Sequence, residues 1–262
     1  MNDFSIVIPS KYGSNLLVCL DALQCWDEET FANNEIIVVD DGAKEDIENL
    51  KSHNAFAEIV YHKVQWVPGE QPFSFPRNVN RGVLAARDHD VLLLNDDALL
   101  RTPEGFQRLH RASYGNPAML LCATVCSFAG NKKQEASDSW ASALADGELG
   151  KLIYDEMVCF ICLYLKREVF DVVGLFNEEF EGYGFDDDWY CSQVRRAGYK
   201  IGIYTGCYLD HTSVPSSYRV RERDTLSKRS HRNHNVFKSY LNSCEAARKW
   251  HERKVESMKN GG

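Results

Sequence analysis

The stretch EIIVVDDG, residues 35–42, decides the fold. Four apolar residues in unbroken succession, with no polar alternation, read as a strand buried on both faces, and such strands belong to sheets covered by helices on each side. The run stops on two aspartates and a glycine, so its carboxyl end delivers acid to one edge of that sheet. Outward from it, FSIVIP (4–9) is a strand stopped by proline, and LLVCLDALQCW (16–26) carries apolar residues at helical spacing. A helix is expected around EDIENLKSH and a third strand at AEIVYHKV (57–64). After the loop VPGEQPFSFP, RNVNRGVLAARD predicts a helix, and DVLLLNDDALL (90–100) a fourth strand that again runs into acid. Strands alternating with helices imply an α/β fold with a mostly parallel central sheet flanked by helices.

Beyond residue 100 the alternation loosens. TPEGFQRLHRAS opens with Thr-Pro, a capping and first-turn pair, and predicts a helix. AMLLCATVCSF predicts a strand, and the polar stretch GNKKQEASDSWASALADGELGK (130–151) a mobile loop. VCFICLYLKREVFDVVGLF combines a strand with a short helix, and DDDWYCSQVRRAGYKIGIYTG a helix closed by Gly198 with a short strand. Without repeats or a low-complexity linker, residues 1–217 are expected to form one domain, in which 1–100 and 101–217 are the two halves, and 218–262 a basic helical extension.

Composition narrows the classes. A chain of 262 residues with 44% hydrophobic content buries a substantial core, so disorder is not the default. Its longest aliphatic runs, such as VLLL (91–94), fall far short of the roughly 20 residues of a membrane span. MNDFSIVIP lacks the pattern of a secretory signal. Nine scattered cysteines fit a reducing, cytoplasmic setting. Cys159 and Cys162 have CxxC spacing, but they lie in the apolar run MVCFICLYL and read as buried strand, since a zinc site wants a second ligand pair. The net charge of −8 divides into −15 for residues 1–217 and +7 for 218–262. That basic tail reads as a solvated helix docked on an acidic body, and it offers peripheral contact to an anionic membrane face. Nucleic acid is not the expected partner, because the tail is poor in aromatics and carries no nucleic-acid motif.

Ligands of open parallel sheets gather at the carboxyl ends of strands. Asp40 and Asp41 close one strand and Asp96 and Asp97 another. Close carboxylates repel unless a cation or hydrogen-bond donor lies between them. A third acidic group stands in FEGYGFDDDWYC (180–191), where the first turn of a helix favours negative charge.

The ordered blocks FSIVIPS, EIIVVDDGA, FSFPRNVNRGVLAA, VLLLNDDALL, VGLFNEEFEGYGFDDDWYCSQVRRAGYK and YLDHTSVPSS, spanning residues 4–216, resemble the family 2 glycosyltransferases. The block at 173–200 is also similar to the C-terminal segment of β-1,4-galactosyltransferases. The resemblance implies the GT-A fold, a Rossmann-like sheet with a nucleotide-sugar half and an acceptor half. It also implies metal-dependent inverting transfer from a nucleoside-diphosphate sugar, UDP-sugar favoured, to a hydroxyl of a carbohydrate or glycoconjugate.

Residue by residue, the resemblance implies that Asp41, with Asp40 beside it, accepts hydrogen bonds from the nucleoside, as an ionised carboxylate only accepts. Pro9 and Ser10 would line the same pocket. Lys11 and Tyr12 stand where the family commonly shows tyrosine then asparagine, and the Lys11 ammonium could reach a phosphate. NDDA (95–98) takes the place of the DxD motif, with Asp97 as metal ligand and Asp96 facing the ribose or a metal-bound water. His211 would complete the shell, and imidazole with carboxylates suits Mn²⁺ better than Mg²⁺. Arg77 and Asn80 could touch diphosphate or sugar, with Arg77 equally readable as a surface residue.

Counting back from RRAGY, the family's Glu-Asp pair falls on Asp186 and Asp187. Asp187 is then the general base, Asp186 an acceptor-hydroxyl ligand and Asp188 a cap. Tyr183 and Trp189 read either as sugar-stacking or as core aromatics. Three other readings stand beside this one. They are a retaining transferase, a sugar-phosphate nucleotidyltransferase, for which KYGSN is a poor phosphate loop, and a non-catalytic carbohydrate-binding descendant.

Overall fold

The computed structural model describes residues 4–145, 150–182, 184–216 and 230–245. Strand β1 (Phe4–Ser10) is buried throughout and leads to α1 (Gly13–Trp26) and the short α2 (Glu28–Asn33). Strand β2 (Glu35–Asp40) is the opening stretch of the sequence reading, followed by α3 (Ala43–Leu50). AEIVYHKV does not form the expected strand. It lies in α4 (Ala55–Lys63), where Asn54 accepts from the N–H groups of Phe56 and Ala57, and Ala57 and Val60 are buried at helical spacing. A good cap and one apolar stripe outweigh the β-propensity of Ile59, Val60 and Tyr61. The third strand, β3 (Gln65–Pro68), begins just downstream.

Next come α5 (Phe75–Ala85), β4 (Asp90–Leu94), β5 (Leu99–Leu100) and α6 (Gly105–Tyr114). The single strand expected over 90–100 is thus broken at its acidic centre. Asn95 N–H leaves the strand to meet Ile161 O, and Ala98 N–H turns back to Asn95 O. Then follow β6 (Met119–Cys126), α7 (Asp138–Ala145), β7 (Leu152–Asp155), β8 (Cys162–Leu165) and α8 (Glu168–Val172). The stretch expected to be a loop therefore contains α7. Cys162 lies on buried β8, while Cys159 precedes it and is partly exposed. Helix α9 (Asp186–Arg196) precedes β9 (Lys200–Asp210), which at 11 residues is far longer than the short strand expected. A final helix, α10, covers residues 230–245 of the basic extension.

Among the described residues the strands form one sheet of order β3-β2-β1-β4-β8-β6-β9-β5, with β7 on β9. The half β3-β2-β1-β4 is wholly parallel. Beyond it β8 runs antiparallel to both β4 and β6, so the second half is mixed. Alternate residues of β1 and β2 feed opposite cores. Ile6, Ile8, Ile36 and Val38 pack with Leu16 and Leu20 of α1, whereas Val7, Ile37 and Val39 pack with Val79 and Val83 of α5. Helix α5 comes this close because of Gly82, where a Cβ would lie 2.2 Å from Val7 Cγ1. No helix among the described residues is long and apolar enough to cross a membrane.

Candidate active site

The adjacent carboxyl ends of β2, β1 and β4 gather the first group of residues. Pro9 and Ser10 pair with Val39 and Asp40 across the parallel ladder. Ser10 Oγ donates to Asp96 Oδ2 at 2.7 Å, both residues being buried, which joins the ends of β1 and β4. Asp40 Oδ1 accepts from the N–H groups of Gly42 and Lys44 and so caps the start of α3. Asp41 turns the other way, accepting from Gln71 Nε2 and Asn78 Nδ2, each at 3.0 Å. Gly69 is required there, because a Cβ would sit 2.3 Å from Asp41 Oδ1. Lys11 lies just past β1, its ammonium 5.9 Å from the Tyr12 ring centre.

Two residues expected near the diphosphate are engaged elsewhere. Asn80 is buried, and its Nδ2 donates to Phe176 O and Glu178 Oε1 while its Oδ1 accepts from Phe176 N–H. It ties α5 to the segment before α9. Arg77 makes a half-exposed ion pair with Glu70 at 3.4 Å. In their place Asn78 meets Asp41, and residues two apart on a helix project about 200° apart, so Asn78 and Asn80 face opposite ways. The asparagine repeat in FSFPRNVN was the available signal, and only the helix's rotation says which member serves.

The broken strand builds the second group. Leu99 pairs with Asp210 and Leu100 with Leu209, so His211, just past β9, is brought against the turn that carries Asp97. His211 Nε2 lies 3.3 Å from Asp97 Oδ1, and both side chains are over nine-tenths buried. His211 Nδ1 is 2.8 Å from Phe128 O. A carbonyl only accepts, so Nδ1 carries the hydrogen, and in the neutral ring the Nε2 lone pair faces the carboxylate. Two acceptors so placed call for a proton or cation between them. The donor set fits Mn²⁺, since an octahedral ion with bonds of about 2.1 Å sets neighbouring ligand atoms about 3 Å apart. Among the described residues no group of three His, Cys, Asp or Glu side chains converges on a metal position. The turn after β9 is closed by hydrogen bonds from Thr212 and Ser213 to the Asp210 carboxylate. Although burial raises the Asp210 carboxyl, hydrogen bonds from Ser213 and Thr212 hold it down at about 2.

The third group begins α9. Asp186 is 5% exposed and accepts from Gly184 N–H at 2.9 Å, and burial, partly offset by backbone hydrogen bonds, pushes its carboxyl up to about 6. Burial also raises Asp187, reinforced by the charges of Asp186 and Asp188. Asp188 is raised by burial, countered by its contact with the Asp187 carboxyl. A cleft of about 150 Å³ is lined by Asn95, His211, Asp186 and Asp187, with Phe75, Phe128 and Phe160 among its walls. The acidic start of α9 and the imidazole past β9 thus share one cleft, and Asp97 lies behind it against His211.

Trp189 packs against Phe180 and Tyr240, away from that cavity, and behaves as a core aromatic. Tyr183 lies outside the described residues, as do 218–229 and 246–262 of the basic tail. The Phe128 carbonyl, which orients the imidazole, gave no sign in the sequence, because any residue supplies a carbonyl.

No family model matches the chain. It is 26% identical over 214 residues to "Uncharacterized protein y4gI" of Sinorhizobium fredii (strain NBRC 101917 / NGR234), a match covering 74% of this chain and 23% of that protein. Among solved structures, GalNAc-T7 with UDP, GalNAc and Mn²⁺ superposes with a TM-score of 0.61 at 12% identity, covering 79% of this chain and 43% of that one. Mannosyltransferase PcManGT from Pyrobaculum calidifontis, in complex with GDP-Man and Mn²⁺, gives 0.59 at 14% identity, covering 83% and 59%. The chain therefore spans about a quarter of its curated relative and around half of these solved chains. What it shares with the latter is the architecture: a mixed α/β domain with a curled central sheet and flanking helices, the GT-A fold of glycosyltransferases.

Proposed function

We propose that the protein is a metal-dependent inverting glycosyltransferase of family 2 type, moving a sugar from a nucleoside-diphosphate sugar to a hydroxyl of a carbohydrate or glycoconjugate. The observation that carries this reading is that His211, 3.3 Å from Asp97, lines one cleft with Asp186 and Asp187. Asp97 and His211 would hold the ion, preferably Mn²⁺, and the ion would supply positive charge to the leaving diphosphate. With these two protein ligands among the described residues, coordination positions would remain for substrate oxygens and water.

The chain's own groups then divide the work. Pro9, Ser10, Lys11, Asp40, Asp41 and Asp96 form the edge at which the nucleotide would be seated. Asp187 would take the proton of the acceptor hydroxyl at a carboxylate oxygen as that hydroxyl attacks the anomeric carbon, and the raised affinity of its carboxyl for a proton suits a base. Asp186 would accept a hydrogen bond from the acceptor. Phe75, Phe128 and Phe160 give the cleft apolar walls. The deciding experiment incubates the full chain with UDP- and GDP-sugars and Mn²⁺, with and without EDTA, and follows released nucleotide and the anomeric configuration of the product by NMR. Inverted product that vanishes with EDTA is expected. Retained configuration or turnover indifferent to EDTA would overturn the mechanism, and no release from any donor would overturn the activity.

A further inference from the structure

We propose that α10 clamps the segment carrying the acidic end of the cleft, and that Asn233 is a positioning residue for Asp186 and Asp187. The inference rests on the transferase reading given above. Residues 177–185 contain no regular helix or strand among those described, yet they lead directly into the aspartates of α9. Backbone of this kind needs partners for its N–H and C=O groups. Helix α10 supplies them.

Asn233 is fully buried. Its Oδ1 accepts from Glu181 N–H at 3.0 Å, and its Nδ2 donates to Glu181 O at 2.9 Å and to Gly184 O at 3.0 Å. Gly184 in turn donates its own N–H to Asp186 Oδ1 at 2.9 Å. One glycine is thus held by α10 at its carbonyl and holds an acid at its amide. The next residue, Phe185, takes a positive φ of 66° and stacks on His234 with ring centres 4.9 Å apart and planes 12° from parallel. A non-glycine residue in that region is strained and persists only where its surroundings over-determine it.

The rest of the contact has the same sense. Tyr240 donates to Glu179 Oε2 and accepts from Asn177 Nδ2, each at 3.0 Å, and Arg232 pairs with Glu181. On the opposite side the segment is fixed to α5 by Phe75 N–H to Gly182 O. The acids therefore sit between a helix belonging to the sheet and one belonging to the C-terminal extension. These contacts of α10 fall on residues 177–185, whereas Ser10 at the end of β1 meets Asp96 past β4, and Asp41 past β2 meets Asn78 of α5. Release of the clamp is expected to harm the chemical step and spare donor binding.

The test uses the full chain with Asn233→Leu, which keeps the branched shape and removes these hydrogen bonds, and Asn233→Ser, a smaller change that introduces a short hydroxyl, should the first fail to fold. Both are measured for kcat and donor KM with UDP-sugar and Mn²⁺, for the thermal shift given by UDP with Mn²⁺, and for amide hydrogen exchange across 181–188. A displaced base costs on the order of 10²-fold in rate. The expected result is a fall of that order in kcat for Asn233→Leu and a smaller one for Asn233→Ser. Donor KM and the UDP shift stay unchanged, and exchange quickens at 181–188. Wild-type kcat in both variants, or a parallel loss of UDP binding, overturns the clamp. If the wild-type chain itself turns over no donor, the transferase reading fails on its own. Unchanged exchange at 181–188 overturns the clamp in that case also.

Discussion

Asp187 and its neighbours show how one side chain's surroundings set its chemistry. Replacing Asp187 by Asn keeps shape and removes the base, so turnover should fall roughly 10²–10⁴-fold with donor KM nearly unchanged, as read by steady-state kinetics. Asp186 gives a stability prediction whose sign follows from its burial. Its folded carboxyl titrates at about 6 against an ordinary value of 3.8. Between those values the folded state holds a proton that the unfolded state has released, so stability falls as pH rises through this window. Asp186→Asn keeps an acceptor for Gly184 N–H without the buried charge. It should stabilise the protein at pH 7 by up to about 3 kcal/mol and scarcely at pH 3.5, as urea unfolding at the two values will show. A variant no more stable at pH 7 than at pH 3.5 would refute the assignment. The pair Asp97 and His211 was readable as residue types in the right blocks, but its 3.3 Å approach was not.

Elements explain where sequence reading succeeded and where it slipped. The apolar runs of β1, β2 and β4 were legible because a strand buried on both faces favours apolar residues in succession, and the structure sends their alternate side chains into two cores. Helix α4 was misread because Ile, Val and Tyr carry β-propensity, while the deciding feature is the Asn54 side chain closing on two backbone amides. Removing that cap by Asn54→Ala should cost about 1 kcal/mol in urea unfolding with the fold retained. A strand at this position would leave stability unchanged. Tighter constraint operates between α5 and β1. Gly82→Ala would press a methyl onto Val7, whose Cγ1 lies 2.2 Å from the position of that Cβ, and should lower stability by about 1–3 kcal/mol.

For the whole molecule, the parallel half of the sheet presents acid at one edge and the mixed half returns β9 to meet it. Because the proposed ion, held by Asp97 and His211, would itself meet the diphosphate of the nucleotide, UDP with Mn²⁺ together should raise the unfolding temperature more than the two separate shifts added. A ligand at 100 times its dissociation constant contributes about 2.7 kcal/mol. His211→Ala should abolish the Mn²⁺-dependent increment, and persistence of that increment would place the ion elsewhere. The sequence by itself determined the alternation of strands and helices, the acidic strand ends and the acidic start of α9, since periodicity, turn residues and charge are local properties. Only the tertiary structure decided that Asn78 rather than Asn80 meets Asp41, that Asp97 lies against His211 and that α10 holds the segment before Asp186. Those outcomes depend on strand register and helix rotation, which are set by packing between segments up to 114 residues apart, as from Asp97 to His211, and leave no periodic trace in the chain.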